Sequence, residues 1–144
     1  MNLAQDILKK NRTFAIVGVS QDTTKYGHEI FETLLEYGYT AIPVNPKYSL
    51  VDGVPCYPSL KALPEKPDVV VAAVPPVVTE SVVQSCASLG IRIVWMPPGA
   101  WSEKAVEICQ AYGITEVHDI CLVASLHLQP YENNENAHSV MEEP

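Results

Sequence analysis

Three short segments of the chain hold residue types suited to holding a phosphate-bearing ligand, two by gripping it and one by walling it. The first is Gly18-Val19-Ser20, completed by Lys25-Tyr26-Gly27, between an apolar run and a segment of helical period. Glycine here lets the backbone turn sharply and lets an anion approach it closely. Unpaired N–H groups around the turn and at the helix start face such an anion, and the helix dipole adds positive potential. Ser20 offers a hydroxyl and Lys25 a full charge. A plain structural turn beside a solvated lysine is the competing reading. His28 follows at the helix start, either against the phosphate or in solvent.

The glycines do not follow G-x-G-x-x-G, so the dinucleotide fingerprint fails at its second and third positions. The second segment, Pro43-Val44-Asn45-Pro46-Lys47, departs further. Binders of NAD place an acid at the end of the second strand, where it takes the ribose hydroxyls. An amide stands there instead, with Lys47 two residues on. Such an end tolerates a phosphorylated ribose that a carboxylate would repel, which favours coenzyme A or NADP over NAD. An ordinary Asn-Pro turn is the alternative. The third segment is a pair of proline-rich strand ends, Val74-Pro75-Pro76 and Met96-Pro97-Pro98-Gly99. Both border the same crevice if the strands are parallel, and rigid apolar walls suit an adenine face or a pantetheine arm. The prolines equally serve to shape the loops.

Catalysis would need a nucleophile or an acid–base pair near these segments. His118, Asp119, Cys121 and His127 are the candidates. Nothing in their spacing orients a base, and neighbours along a strand point to opposite faces, so the pattern favours binding without catalysis. Cys56, Cys86, Cys109 and Cys121 form no C-x-x-C pair and read as reduced, apolar thiols.

A parallel sheet with crossover helices would bring the three segments together, and the hydrophobic pattern predicts one. Asn2 caps a helix to about Lys10. Strands are expected at Thr13–Gly18, Thr40–Val44, Asp68–Val74, Ile91–Met96 and Ile114–His118. Helices are expected at Gly27–Tyr37, Val77–Leu89 and from Ser102 to about Tyr112, with Gly38, Gly90 and Gly113 closing them. Residues 47–66 read as irregular, with a turn at Asp52-Gly53 and a short helical turn at Ser59–Leu63. Ile120–Leu128 fits a short helix or a strand. Strict alternation of five strands with helices gives a doubly wound, mainly parallel α/β domain over residues 1–129, with helices on both faces. Residues 130–144 hold four acids and no lysine or arginine, and are expected to be a disordered tail.

The chain's 144 residues and 47% hydrophobic content fit one globular domain. No run approaches the length of a membrane span, and the N-terminus lacks a signal-peptide pattern, so a cytoplasmic location is expected. A net charge of −8 argues against nucleic acid or an anionic membrane as partner. Seven of the nine bases lie at or before Lys66, which leaves the first half near neutral and able to hold a local anion site.

Taken together, Gly18-Val19-Ser20, Lys25-x-Gly27, Pro43-Val44-Asn45-Pro46, Gly53 and Val74-Pro75 resemble the stand-alone CoA-binding domain proteins. These are similar to the N-terminal domain of succinyl-CoA synthetase α subunits. The resemblance covers about residues 5–125 and implies a Rossmann-like fold with CoA across the strand ends. It implies that Gly18, Val19, Ser20 and Lys25 hold phosphates, that Val44, Asn45, Pro46 and Lys47 border the adenosine, and that Val74 and Pro75, with Pro98 and Gly99, wall the site. The family's glutamine is absent from Trp95-Met96-Pro97-Pro98-Gly99, and its arginine from Asp119-Ile120-Cys121. The synthetases' second domain and partner subunit find no counterpart in this stretch. The expected function is therefore a stand-alone binder or sensor of CoA or acyl-CoA, with a protein partner unidentified. The rivals are an NADP-dependent oxidoreductase or redox sensor and a noncatalytic assembly subunit.

Overall fold

A computed structural model describes residues 2–129. Helix α1 (Leu3–Lys10), capped by the Asn2 side chain, leads into β1 (Thr13–Val17), α2 (Tyr26–Glu36) and β2 (Thr40–Val44). A hairpin of two short strands follows, β3 (Leu50–Val51) and β4 (Val54–Pro55), then a 3-10 turn, η1 (Leu60–Ala62). The rest alternates: β5 (Val69–Ala72), α3 (Pro76–Leu89), β6 (Ile93–Met96), α4 (Glu103–Ala111), β7 (Thr115–His118) and α5 (Leu122–His127).

The five long strands form one sheet in the order β2-β1-β5-β6-β7, every neighbouring pair parallel. From β1 the chain moves outward to β2, then returns across β1 to β5 and continues the other way. The reversal lies between β1 and β5, and ligands of open α/β sheets bind at that point, beyond the strands' carboxyl ends. Register sets Val17 opposite both Val44 and Ala72. Gly18, Asn45 and Ala73 therefore leave the sheet side by side.

Burial on both faces explains why β5 is apolar at every position: Val69, Val70, Val71 and Ala72 are all buried. Phe14, Ile16, Val69, Val71 and Trp95 form one core with α1, α2 and α5. Ala15, Val70, Ala72, Val94 and Met96 form the other, under α3 and α4. The domain is the doubly wound α/β fold expected, with its five-stranded sheet parallel throughout.

Differences lie at the ends and in the short elements. Four of the strands start later or stop earlier than the apolar runs; β1 ends at Val17 because Gly18 turns away at φ 101°. Residues 47–66 are not wholly irregular, since Asp52-Gly53, at φ 51° and 79°, closes the β3–β4 hairpin. Asp and Gly are residue types that accept positive φ in such turns. The segment Ile120–Leu128 contains helix α5, because Leu122 and Leu126, one turn apart, both enter the first core. No helix among the described residues is long and apolar enough to cross a membrane. The expected tail, residues 130–144, lies outside them.

Candidate functional site

The site begins with two interlocked glycines. A Cβ on Gly18 would overlap the carbonyl oxygen of Ala73 and stand 2.8 Å from Val74 Cγ1, so β1 and β5 pass too closely for any side chain. A Cβ on Gly27 would stand 2.6 Å from the carbonyl oxygen of Gly18. The first turn of α2 thus sits directly on the end of β1. This is the close helix–strand packing that the last glycine of the dinucleotide fingerprint provides. The departure from that fingerprint is the absent middle glycine and the longer loop between, which runs through residues 19–25.

Asn45 ties the neighbouring loops together. Its Nδ2 donates to the Val19 carbonyl at 2.8 Å, while its Oδ1 accepts from the Lys47 N–H at 2.9 Å. The backbone beside it pairs with Tyr57 in both directions: Asn45 N–H to the Tyr57 carbonyl, and Tyr57 N–H to the Pro43 carbonyl. A carboxylate at this position could not donate to Val19. The amide is therefore required by the loop itself, and the site loses the acid that would repel a phosphorylated ribose.

A cavity of about 790 Å³ opens between these loops, η1 and α3. Gly18, Val44, Asn45, Pro46, Lys47 and Val74 line it, and so does Lys61, which the sequence reading did not single out. No aspartate, glutamate or histidine is among its lining residues. Across the Val74 ridge lies a second hollow of about 380 Å³, bordered by Tyr26, Val74, Pro75, Pro98 and Gly99. Val74 belongs to both.

Two helices point their N-termini at this place, and both lack side-chain caps. Asn2, Ser102 and Cys121 cap α1, α4 and α5, but Lys25 and Pro75 make no capping bond to α2 and α3. Among the described residues, the amides of Tyr26, Gly27 and His28 at α2, and of Val77 and Val78 at α3, donate to no other protein group. An unsatisfied helix start is a favourable seat for an anion.

The other expected contacts are more dispersed. Ser20 and Lys25 line neither hollow. The Ser20 hydroxyl accepts from the Asp22 N–H at 3.0 Å, and Lys25 is exposed at the N-cap of α2. Val19 has a fully buried side chain, so only its backbone is available to a ligand. His28 meets neither of the two surroundings expected for it. It is fully buried, with Nε2 2.8 Å from Asp52 Oδ2 and its ring near Phe31, and it anchors the β3–β4 hairpin to α2. His28, Glu32 and Asp52 bring ligand atoms within 4.8 Å of one another. Among the described residues Nδ1 of His28 has no partner, whereas a metal-bound imidazole normally donates its other N–H.

The sequence-level candidates for chemistry are separated. His118 Nδ1 lies 2.8 Å from Glu116 Oε1 and its ring stacks on Trp101, centroids 4.7 Å apart, so a partner for that base exists two residues upstream. Their hollow is bordered by Trp101, Val106 and two exposed glutamates, away from the cavity above. Cys121 instead accepts from the Tyr26 hydroxyl at 3.2 Å, and burial followed by that contact pushes the tyrosine's pKa up. Burial pushes the Cys86 and Cys109 thiols up to about 12, and raises that of Cys56.

Residues 12–127, which contain every one of these contacts except the α1 cap, match the CoA binding domain family. The chain belongs to that family. It is 30% identical over 122 residues to the alpha subunit of ADP-forming acetate–CoA ligase II from Pyrococcus furiosus, covering 77% of this chain and 27% of that one. To ADP-forming acetate–CoA ligase I from Archaeoglobus fulgidus it is 29% identical over 121 residues, covering 77% of this chain and 18% of the ligase. The chain thus spans 18% to 27% of the length of these curated relatives. A hypothetical protein from Pyrococcus horikoshii OT3 has the same fold at TM-score 0.83 and 31% identity, covering 86% of this chain and 87% of that one. Within a CoA binding domain, the loops after β1, β2 and β5 are the segments that the resemblance marked in the sequence.

Proposed function

We propose that this domain binds coenzyme A or an acyl-CoA as a binding or sensing module. The observation that carries the reading is the cavity at the strand reversal, which holds two lysines and no carboxylate beside two uncapped helix starts. Adenosine sits in the larger cavity, bordered by Val44, Asn45, Pro46 and Lys47. The diphosphate crosses at Gly18 and Val74, where the free amides of α2 and α3 offer hydrogen bonds and positive potential. Lys25 reaches the diphosphate from the α2 N-cap as a mobile charge. The pantetheine arm lies in the second hollow between Pro75 and Pro98-Gly99, whose lining carries no charged side chain.

Neither hollow is lined by a histidine, cysteine or carboxylate. That favours holding a ligand over transforming it. The larger size of the related ligases supports a protein partner or fused domain as the recipient of the bound CoA. NADP is the rival ligand, because a neutral Asn45 also admits a phosphate on the adenosine ribose.

A thermal-shift panel tests the reading. A ligand at a hundredfold excess over its dissociation constant stabilises the folded state by about 2.7 kcal/mol. CoA and acetyl-CoA are expected to raise the midpoint, dephospho-CoA to raise it less, and NAD to leave it nearly unchanged. A response to NAD or NADP with none to CoA contradicts the proposal.

A further inference from the structure

Outside both hollows, helix α2 and the β3–β4 hairpin bring a histidine and two carboxylates together. His28 and Glu32 stand four residues apart on α2, which sets them on the same helix face. Asp52 meets that face from the hairpin turn, its Oδ2 2.8 Å from Nε2 of His28. One ligand atom from each of the three lies within 4.8 Å of the others. None of the three lines the cavity at the strand reversal or the hollow beyond Val74.

Both halves of the arrangement are fixed by the fold. Val51, next to Asp52, is fully buried in the core that α2 also enters. The Cys56 N–H closes the hairpin onto the Ser49 carbonyl, and Gln21 Nε2 donates to the Leu50 carbonyl. The His28 ring is fully buried beside Phe31, so the core itself aims Nε2 at the carboxylates. Glu32 is exposed and, among the described residues, pairs with no cation.

In a chain of net charge −8, two carboxylates this close repel each other. The contact of His28 with Asp52 balances at most one of them. A divalent cation balances both. An imidazole with two carboxylates suits a borderline first-row cation, whereas magnesium and calcium take oxygen ligands. Two ligands on one zinc ion, each about 2.0–2.2 Å from it, stand at most about 4.4 Å apart. Rotation of the exposed Glu32 side chain closes the difference. The unpartnered Nδ1 of His28 limits the affinity. Loss of an acceptor behind a metal-bound imidazole costs about 10–100-fold in binding, which makes the ion exchangeable.

We propose that His28, Glu32 and Asp52 form an exchangeable site for a divalent transition metal of the zinc class, which clasps the β3–β4 hairpin to α2. The site is independent of the CoA reading above.

Zinc titration of the full chain, stripped of metal and kept reduced, tests the proposal by calorimetry and amide hydrogen exchange. His28 belongs to the core, so the variants are at the outer ligands, Glu32→Gln and Asp52→Asn. Asparagine keeps an acceptor for His28 and tolerates the positive φ of this turn. Zinc is expected to bind the wild type saturably and to slow exchange across residues 50–55. Each variant is expected to weaken that binding at least about tenfold and to abolish the slowing, with the metal-free thermal midpoint unchanged. Magnesium at the same concentration is expected to do neither. Should Asp52→Asn also lower the metal-free midpoint, Glu32→Gln alone decides, since Glu32 takes no part in the tether of His28 to Asp52. Binding by Glu32→Gln equal to that of the wild type overturns the proposal. So does the absence of saturable zinc binding, or an equal slowing by magnesium.

Discussion

Replacing Gly27 with alanine sets two physical effects against each other, and the structure decides which prevails. Alanine in a helix is favoured over glycine by about 1 kcal/mol, so a solvated helix would gain stability. Gly27 is instead buried in the first turn of α2, and the added Cβ would stand 2.6 Å from the Gly18 carbonyl oxygen and 3.2 Å from its carbon. Ordinary contact begins near 3.4 Å. The obstacle is backbone, and Gly18 is itself pressed against the Ala73 carbonyl, so it has no room to retreat. Overpacking of this kind costs about 1–3 kcal/mol, and a site walled by backbone belongs at the upper end. The expected net result is a loss of about 1–2 kcal/mol.

Urea unfolding followed by circular dichroism reads this directly. With a slope of about 1–3 kcal/mol per molar, the midpoint of Gly27→Ala should fall by roughly 0.5–1 M with the slope unchanged. CoA binding should weaken as well, because α2 must lift its free amides away from the end of β1. A midpoint equal to or above that of the wild type would refute the reasoning. The helix would then not be seated on Gly18, and the approach of its N-terminus to a ligand would lose its basis.

Asn45→Asp removes the only donor to the Val19 carbonyl from that side chain and places a carboxylate against a carbonyl oxygen; a loss of about 1–3 kcal/mol is expected in the same unfolding assay, with weaker CoA binding, and an unchanged midpoint would contradict the pinning role. Stability should also fall in alkali. Buried Cys86 and Cys109 hold their protons to about 12, whereas the unfolded thiols ionise near 9.0, so the folded state binds more protons between those values and stability declines as pH rises through them. The slope is at most about 1.4 kcal/mol per pH unit for each thiol, and Cys86→Ala should reduce it; a pH-independent midpoint over that window would contradict the burial argument.

The long elements were legible because their boundaries are chemical. Strand β2 lies between Gly38-Tyr39 and Asn45-Pro46, and its predicted limits, Thr40–Val44, are those observed. The β3–β4 hairpin was not legible as strands, since two residues carry no period, although its Asp52-Gly53 turn was. Helix α5 spans six residues, too few for apolar spacing to separate helix from strand. At the site, the absence of an acid at position 45 was visible, but its reason, a hydrogen bond to Val19 across 26 positions, depends on register. Nothing local marks Lys61; only the fold, through the pairing of Tyr57 with the end of β2, brings it onto the same cavity as Lys47. His28 misled for the opposite reason. A polar residue at a helix start reads as exposed, while its partner Asp52 lies in a hairpin whose position no spacing reveals. Glu116 had a readable signal, a carboxylate two residues before His118 on the same strand face.

The most direct measurement is a crystal structure of the full chain grown with coenzyme A in excess. The account predicts adenosine between Lys47 and Lys61, the diphosphate over Gly18 at the start of α2, and the pantetheine arm running past Val74 toward Pro98. A nucleotide bound elsewhere on the surface, with this cavity empty or filled by the protein's own side chains, would contradict it.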